Sequence, residues 1–112
     1  VPGYLNAVER GRASKGKGNL DTARKAVSQF ALVNQGTLPA GLAAVAADAN
    51  LDFDDSNLNN DADWNYAYAP NANGPNTFTI TATRTGGPNT NGTITVDQDG
   101  VVTYAGQHPT WE

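Results

Sequence analysis

Two hydrophobic periods divide the chain, and the change between them falls near residue 64. At about 100° per residue, Leu20, Ala23, Ala26, Val27, Phe30, Ala31 and Val33 share one side, with Asp21, Arg24, Lys25 and Ser28 outside its centre. That pattern predicts an amphipathic helix packed on another layer. Carried backwards, the same wheel sets Val1, Tyr4, Leu5 and Val8 on nearly the same stripe. Between the two groups the stripe positions hold Arg12, Gly16 and Asn19, and Gly11, Gly16 and Gly18 each cost a helix about 1 kcal/mol relative to Ala. The first third is therefore expected to be helix that needs a partner. Pro2 suits a first helical turn, and Gly36 supplies a stop through a left-handed C-terminal cap. Pro39 to Ala47 reads as a short second helix with Leu42 and Val45 turned inward.

Residues 48–63 hold six carboxylates and four Asn in a loop-like stretch anchored by Leu51, Phe53 and Leu58. Beyond them the period is two. Trp64, Tyr66 and Tyr68 alternate with Asn65 and Ala67, Phe78, Ile80 and Ala82 alternate with threonines, and Ile94 and Val96 do the same. A fourth short strand is expected at Val101 to Tyr104. Turn signals at 71–75, 86–92 and Asp99-Gly100 separate the four, and the repeated Gly-Pro-Asn-Thr at 74 and 87 is recurrent turn chemistry. The chain thus reads as one domain in three parts: an N-terminal helix over 1–36, a short helix and acidic loop over 37–63, and an antiparallel β-meander over 64–112. Helix followed by strands predicts an α+β fold, a long N-terminal amphipathic helix packed on a four-stranded antiparallel sheet.

At 112 residues, with 38% hydrophobic and 16% charged positions, the chain suits a single small domain rich in turns and exposed strands, which its 13 Asn, 12 Thr and 12 Gly also favour. No Cys or Met occurs, so disulfides, thiolate zinc sites and cysteine nucleophiles are excluded. The longest apolar run, Leu42 to Ala47, is far below the roughly 18–20 residues of a membrane span. The first residue is Val1 and not Met, as expected of a processed or trimmed segment.

Charge is unevenly placed. Arg10, Arg12, Lys15, Lys17, Arg24 and Lys25 face only Glu9 and Asp21 in the first 25 positions, a balance of +4, while Arg84 alone faces nine carboxylates in the remainder, a balance of −8. Such polarity can orient neighbouring copies in a salt-sensitive way. Nucleic acid is not expected as a partner, because no aromatics interleave with the basic stretch.

Catalysis is not expected. His108 is a lone histidine near the terminus, Ser14, Ser28 and Ser56 lie in no nucleophile-elbow pattern, and Asp54 and Asp55 are adjacent carboxylates with nothing nearby to part their pKa values. No cofactor is required, and calcium is the one candidate metal. Asp48, Asn50 and Asp52 match the start of an EF-hand loop, but Phe53 replaces its glycine and Asn59 its bidentate Glu. An irregular site drawing on Asp52, Asp54, Asp55, Asp61 and Asp63, or on Asp97 to Gly100, competes with a solvated acidic loop. Asn91-Gly-Thr93 has the form of a glycosylation sequon, although turn geometry alone explains Asn-Gly there. Trp64, Tyr66, Tyr68 and Tyr104 are either a stacking surface or the sheet's core, and their shared alternation favours core, buried against Leu20, Val27 and Phe30.

Val1-Pro-Gly-Tyr-Leu-Asn-Ala-Val-Glu-Arg-Gly-Arg-Ala-Ser-Lys-Gly resembles the segment of type IV pilins and type II secretion pseudopilins that follows their hydrophobic N-terminal stretch. Pro2 and Tyr4 match the family's Val/Ile-Pro-x-Tyr/Phe element. Asn19 to Ala26 looks like the helix before its first loop, and Gln35-Gly-Thr-Leu-Pro-Ala-Gly-Leu42 like the turn into its short second helix; the sheet region is similar to some bacterial pilin-like heads. The resemblance implies a type IV pilin-like fold and a structural subunit of a type IV pilus-like surface filament. Its partners would be copies of itself, assembly machinery and, through a missing N-terminal segment, the inner membrane. It would pass through inner membrane and periplasm before reaching the cell surface, and subunit packing would use Val1, Pro2, Tyr4, Leu5 and Val8. A type II secretion pseudopilin is the alternative within the family, and an extracellular adhesive or carbohydrate-binding module is the alternative from another class. The hydrophobic segment and processing site that define the family are absent from these 112 residues.

Overall fold

The computed structural model describes residues 2–48, 51–71, 74–86 and 91–106, with side chains from Ala7 on. Helix α1 runs over Pro2–Val33, α2 over Leu42–Ala47 and α3 over Ser56–Asn59, followed by strands β1 (Trp64–Pro70), β2 (Phe78–Arg84), β3 (Thr93–Asp97) and β4 (Val102–Ala105). The four strands form one antiparallel sheet in the order β1-β2-β3-β4, an uncrossed meander. This is the expected α+β arrangement of one long helix on a four-stranded antiparallel sheet.

Register follows from the alternation. Tyr66 pairs with Ala82, Tyr68 with Ile80, Ile80 with Val96, and Ala82 with Ile94, so every apolar residue of the pattern reaches one face. Leu20, Ala23, Ala26 and Val27 of α1 share a core with Ile80, Ala82, Ile94 and Val96 of that face. The opposite face carries Thr79, Thr81, Thr83, Thr93 and Thr95, with Thr81 Oγ1 and Thr95 Oγ1 hydrogen-bonded across strands at 3.1 Å. Val45, Phe53 and Leu58 close the core from α2, the acidic segment and α3.

Several boundaries differ from the sequence reading. The second helix begins at Leu42, because Pro39 is buried as an anchor whose carbonyl accepts the Tyr68 hydroxyl at 2.9 Å. Within the expected loop, Ser56–Asn59 winds into α3, led by Asp54, whose carboxylate accepts the Ser56 N–H at 2.9 Å. Val33 is 53% exposed and not inward, since the helix ends there and the chain turns away. Gly36 does adopt the left-handed conformation at φ 83°, but Gln35 shares it at φ 61°. The Gly36 N–H then reaches the Ala31 carbonyl at 2.7 Å and closes the helix end.

Helix α1 has 32 residues, roughly 48 Å at 1.5 Å per residue. The protein is 51 Å along its longest axis, so α1 spans it from end to end. Among the described residues, no helix is long and apolar enough to cross a membrane.

Candidate functional site

The gap that sequence left in the apolar stripe, from Arg12 to Asn19, is where the sheet and the acidic segment grip α1. Counting back from Leu20, Gly16, Ala13 and Glu9 continue the buried face in steps of three and four. Gly16 is there for room: a Cβ on it would lie 3.0 Å from Trp64 Cε2 and 3.1 Å from Nε1. The indole lies flush on the helix backbone, and its Nε1 donates to the Arg12 carbonyl at 2.9 Å. Trp64 is therefore buried as expected, but against the glycine.

One turn earlier lies a buried ion pair. Glu9 and Arg84 side chains are each only 3% exposed. Arg84 Nε donates to Glu9 Oε2 at 3.2 Å and Nη2 to Oε1 at 3.0 Å, a two-pronged contact, while Nη1 donates to the Asp63 carbonyl at 2.9 Å. Arg12 adds a third donor to Glu9 at 3.0 Å, and the Arg84 guanidinium lies 5.9 Å from the Trp64 ring centroid. Sequence reading passed over this pair, although the signal existed. Extending the inward alternation Phe78, Ile80, Ala82 by one step lands on Arg84, the only cation of the sheet.

On the β1 side, Asp61 is the hub of a second network, its side chain 1% exposed. It accepts from the Tyr66 hydroxyl at 2.6 Å, from Lys15 Nζ at 2.9 Å and from the Asp63 N–H at 2.9 Å. Asn19 Nδ2 donates to the Tyr66 oxygen at 3.0 Å, and Lys15 also reaches Asp63 at 2.6 Å. Burial alone would raise the Asp61 pKa, but the Tyr66, Lys15 and Asp63 donors outweigh it and hold the carboxyl below its ordinary 3.8. Burial likewise works against the charge on Lys15, yet its two carboxylate partners keep its pKa above 10.5. Burial, then the hydrogen bond to Asp61, pushes the Tyr66 hydroxyl up, and burial pushes Tyr68 up to about 12. Above this network opens a polar cleft of about 620 Å³ lined by Lys15, Asn19, Ser56, Asn57, Asn60 and Asp61. Lys15 and Asp61 bind each other, which leaves the amides and hydroxyl of Asn57, Asn60 and Ser56 at its rim.

These contacts redistribute the charge polarity of the sequence. Arg12, Lys15 and Arg84 find Glu9, Asp61 and Asp63 inside the same chain, and Asp21 takes Arg24 and Lys25 at 2.9 Å each. Of the carboxylates offered for calcium, Asp61 and Asp63 both hold Lys15, Asp54 accepts the Ser56 N–H at the start of α3, and Asp97 accepts the Asp99 and Val101 N–H groups. Among the described residues, no group of three or more acidic or histidine side chains is placed to hold a metal; Asn50 lies outside them. His108 does too, while Asn91 is exposed at φ 69° in its turn.

Of the packing residues expected on α1, Pro2, Tyr4 and Leu5 belong to its first turns, Val8 is half-buried, and Val1 lies outside the described residues. The aromatic rings are turned toward the helix side of the sheet: Tyr66 and Tyr68 are half-buried with engaged hydroxyls, and Lys17 Nζ lies 5.0 Å from the Tyr104 ring centroid.

At the far end of α1, an apolar pocket of about 400 Å³ has Phe78 and Leu38 in its wall and Ala31 and Leu32 at its mouth. Leu32 is 81% exposed. Along the outward face of α1 the small residues Ala7, Gly11, Ser14, Gly18 and Thr22 form an exposed line, with Arg10, Lys15, Lys25 and Gln29 exposed beside it. Unlike Gly16, neither Gly11 nor Gly18 has an atom from beyond its own stretch of helix within 4 Å of an added Cβ, among the described residues. The chain matches no protein-family model, no curated protein and no solved structure.

Proposed function

We propose that this chain is the α+β head of a pilin-like filament subunit, in which α1 is the C-terminal half of a longer helix that bundles with neighbouring copies. One observation carries the reading: the outward face of α1. The head covers one side of a helix that spans the whole protein, and on the other leaves a line of small residues from Ala7 to Thr22, flanked by exposed Arg10, Lys15 and Lys25. Two glycines on that line cost about 1 kcal/mol each in helix propensity, and among the described residues no neighbouring atom lies close enough to require them. Such a cost is sensible where another backbone must come close.

In this role the protein works by packing and not by chemistry. The clamp around Glu9, Arg84, Trp64 and Asp61 fixes the angle between helix and head, so that a load on the helix passes directly to the sheet. The sequence encoded upstream of Val1 tests the reading. An uninterrupted stretch of about 20 apolar residues behind a short basic leader supports a membrane-held filament subunit. A start codon or a polar linker in that place removes its main support.

A further inference from the structure

We propose that the flank of α1 turned toward β4 binds the acidic segment ahead of α3 in a second copy, so that neighbouring subunits sit side by side. The inference rests on the filament reading and names one lateral contact within it.

The two flanks of α1 are answered differently. On the flank toward β1, Arg12 and Lys15 meet Glu9, Asp61 and Asp63, and with Arg84 these six groups hold three charges of each sign. On the opposite flank, at about 100° per residue, Arg10, Lys17, Asp21 and Arg24 follow one another in steps of seven, four and three. That flank faces β4: Lys17 Nζ lies 5.0 Å from the Tyr104 ring centroid, and a Cβ on Gly100, in the turn before β4, would lie 3.4 Å from Arg24 Cζ. Carboxylates are too few here. Asp21 serves Arg24 and Lys25 together, and Arg10 is exposed and makes no ion pair among the described residues.

The opposite excess lies on the far side of the molecule. Asp52, Asp54 and Asp55 come just ahead of α3, which packs against β1, the edge strand opposite β4. Asp52 and Asp54 are exposed, Asp55 is half-buried, and none of the three meets a cation among the described residues. Flank and segment cannot meet within one chain, whereas side by side the flank of one copy faces the segment of the next. Such a contact is heterologous, so it repeats from copy to copy instead of closing as a dimer. It leaves Gly11, Ser14 and Gly18, which lie between the two flanks, to neighbouring helices. Single surface ion pairs are weak, and this contact gains from several at once and from subunits already held close together.

Paramagnetic broadening between two differently labelled copies of the chain tests it, since it registers contacts too weak to survive sedimentation. The chain has no Cys, so Asn57→Cys in α3 gives a nitroxide one attachment point beside the acidic segment. Mixed at millimolar concentration and low salt with an isotope-labelled copy, it should broaden the amides of Lys17, Asp21 and Tyr104 in that copy more than those of Tyr66 and Tyr68. High salt should remove the effect. Asp52→Lys with Asp55→Lys in the nitroxide copy, or Arg10→Glu with Lys25→Glu in the isotope-labelled copy, should each weaken it at least about fivefold. The two reversed copies mixed together should restore it, because their signs match again, and restoration requires that both be folded. Broadening centred on β1, broadening indifferent to salt and to both reversals, none at low salt, or reversed copies that fail to restore it overturns the contact. Each of these leaves the filament reading to stand or fall on the upstream sequence.

Discussion

From Leu20 onward, α1 lies on the sheet through Ala23, Ala26 and Val27, apolar surface on apolar surface, while from Glu9 to Asn19 the same helix reaches the same sheet through Arg84, Trp64, Asp61 and Tyr66. The first region would be stable in any hydrophobic groove of the right width. The second depends on particular partners, because it contains three glycines and a buried carboxylate, each of which lowers stability until it is answered. The difference teaches how one helix can be generic along one half and address-specific along the other. The specific half sets the rotation and height of the helix on the head.

Breaking the specific half should have the largest effect. Arg84→Met takes the two-pronged partner from buried Glu9 and should cost about 3–5 kcal/mol in urea unfolding, whereas adding Glu9→Leu should return most of that loss. A loss below about 1 kcal/mol for the single variant would mean that water reaches Glu9. In the generic half, Leu20→Ala should cost about 2–5 kcal/mol through lost burial and a cavity, with no dependence on salt. Comparable salt sensitivity in both variants would erase the contrast between the regions.

The glycines sharpen the comparison. Gly16→Ala forces Cβ against the buried indole and should destabilise by about 1 kcal/mol after its gain in helix propensity. Gly18→Ala, two residues away with open space around it, should instead stabilise the isolated chain by up to about 1 kcal/mol. Thermal melts of the two variants should therefore move in opposite directions.

The smallest effect is the acid limb. The Asp61 pKa is held below 3.8 in the fold, so the unfolded chain takes up that proton first. Its contribution is complete above pH 3.8 and is lost as pH falls through the lower folded value. Amide exchange around Lys15 to Asn19 should quicken there before exchange around Val27 does, and Asp61→Asn should flatten the dependence. Equal quickening along the whole helix would show that the two halves open as one.

Much of the fold was legible because it rests on period. Two steps of alternation are enough to place Ile80, Ala82, Ile94 and Val96 on one face, and that face needs an apolar cover that only the N-terminal helix can offer. The clamp was less legible for a physical reason. Ion pairs and hydrogen bonds between residues 75 positions apart, as for Glu9 and Arg84, leave no trace in local periodicity. In a hydropathy pattern they appear as interruptions: Arg84 as a polar end to β2, Gly16 as a weak point in α1, Asp61 and Asp63 as part of a solvated loop. Each of those interruptions is a contact.

By itself, then, the sequence determined the element order, the inward faces of β1 to β3 and the amphipathic half of α1, since these follow from side-chain spacing that any chain obeys on its own. Only the tertiary structure decided which of three glycines is needed inside the chain and which charges are answered within it. Those outcomes depend on distances between segments remote in sequence, where a few tenths of an ångström separate a tight fit from a clash.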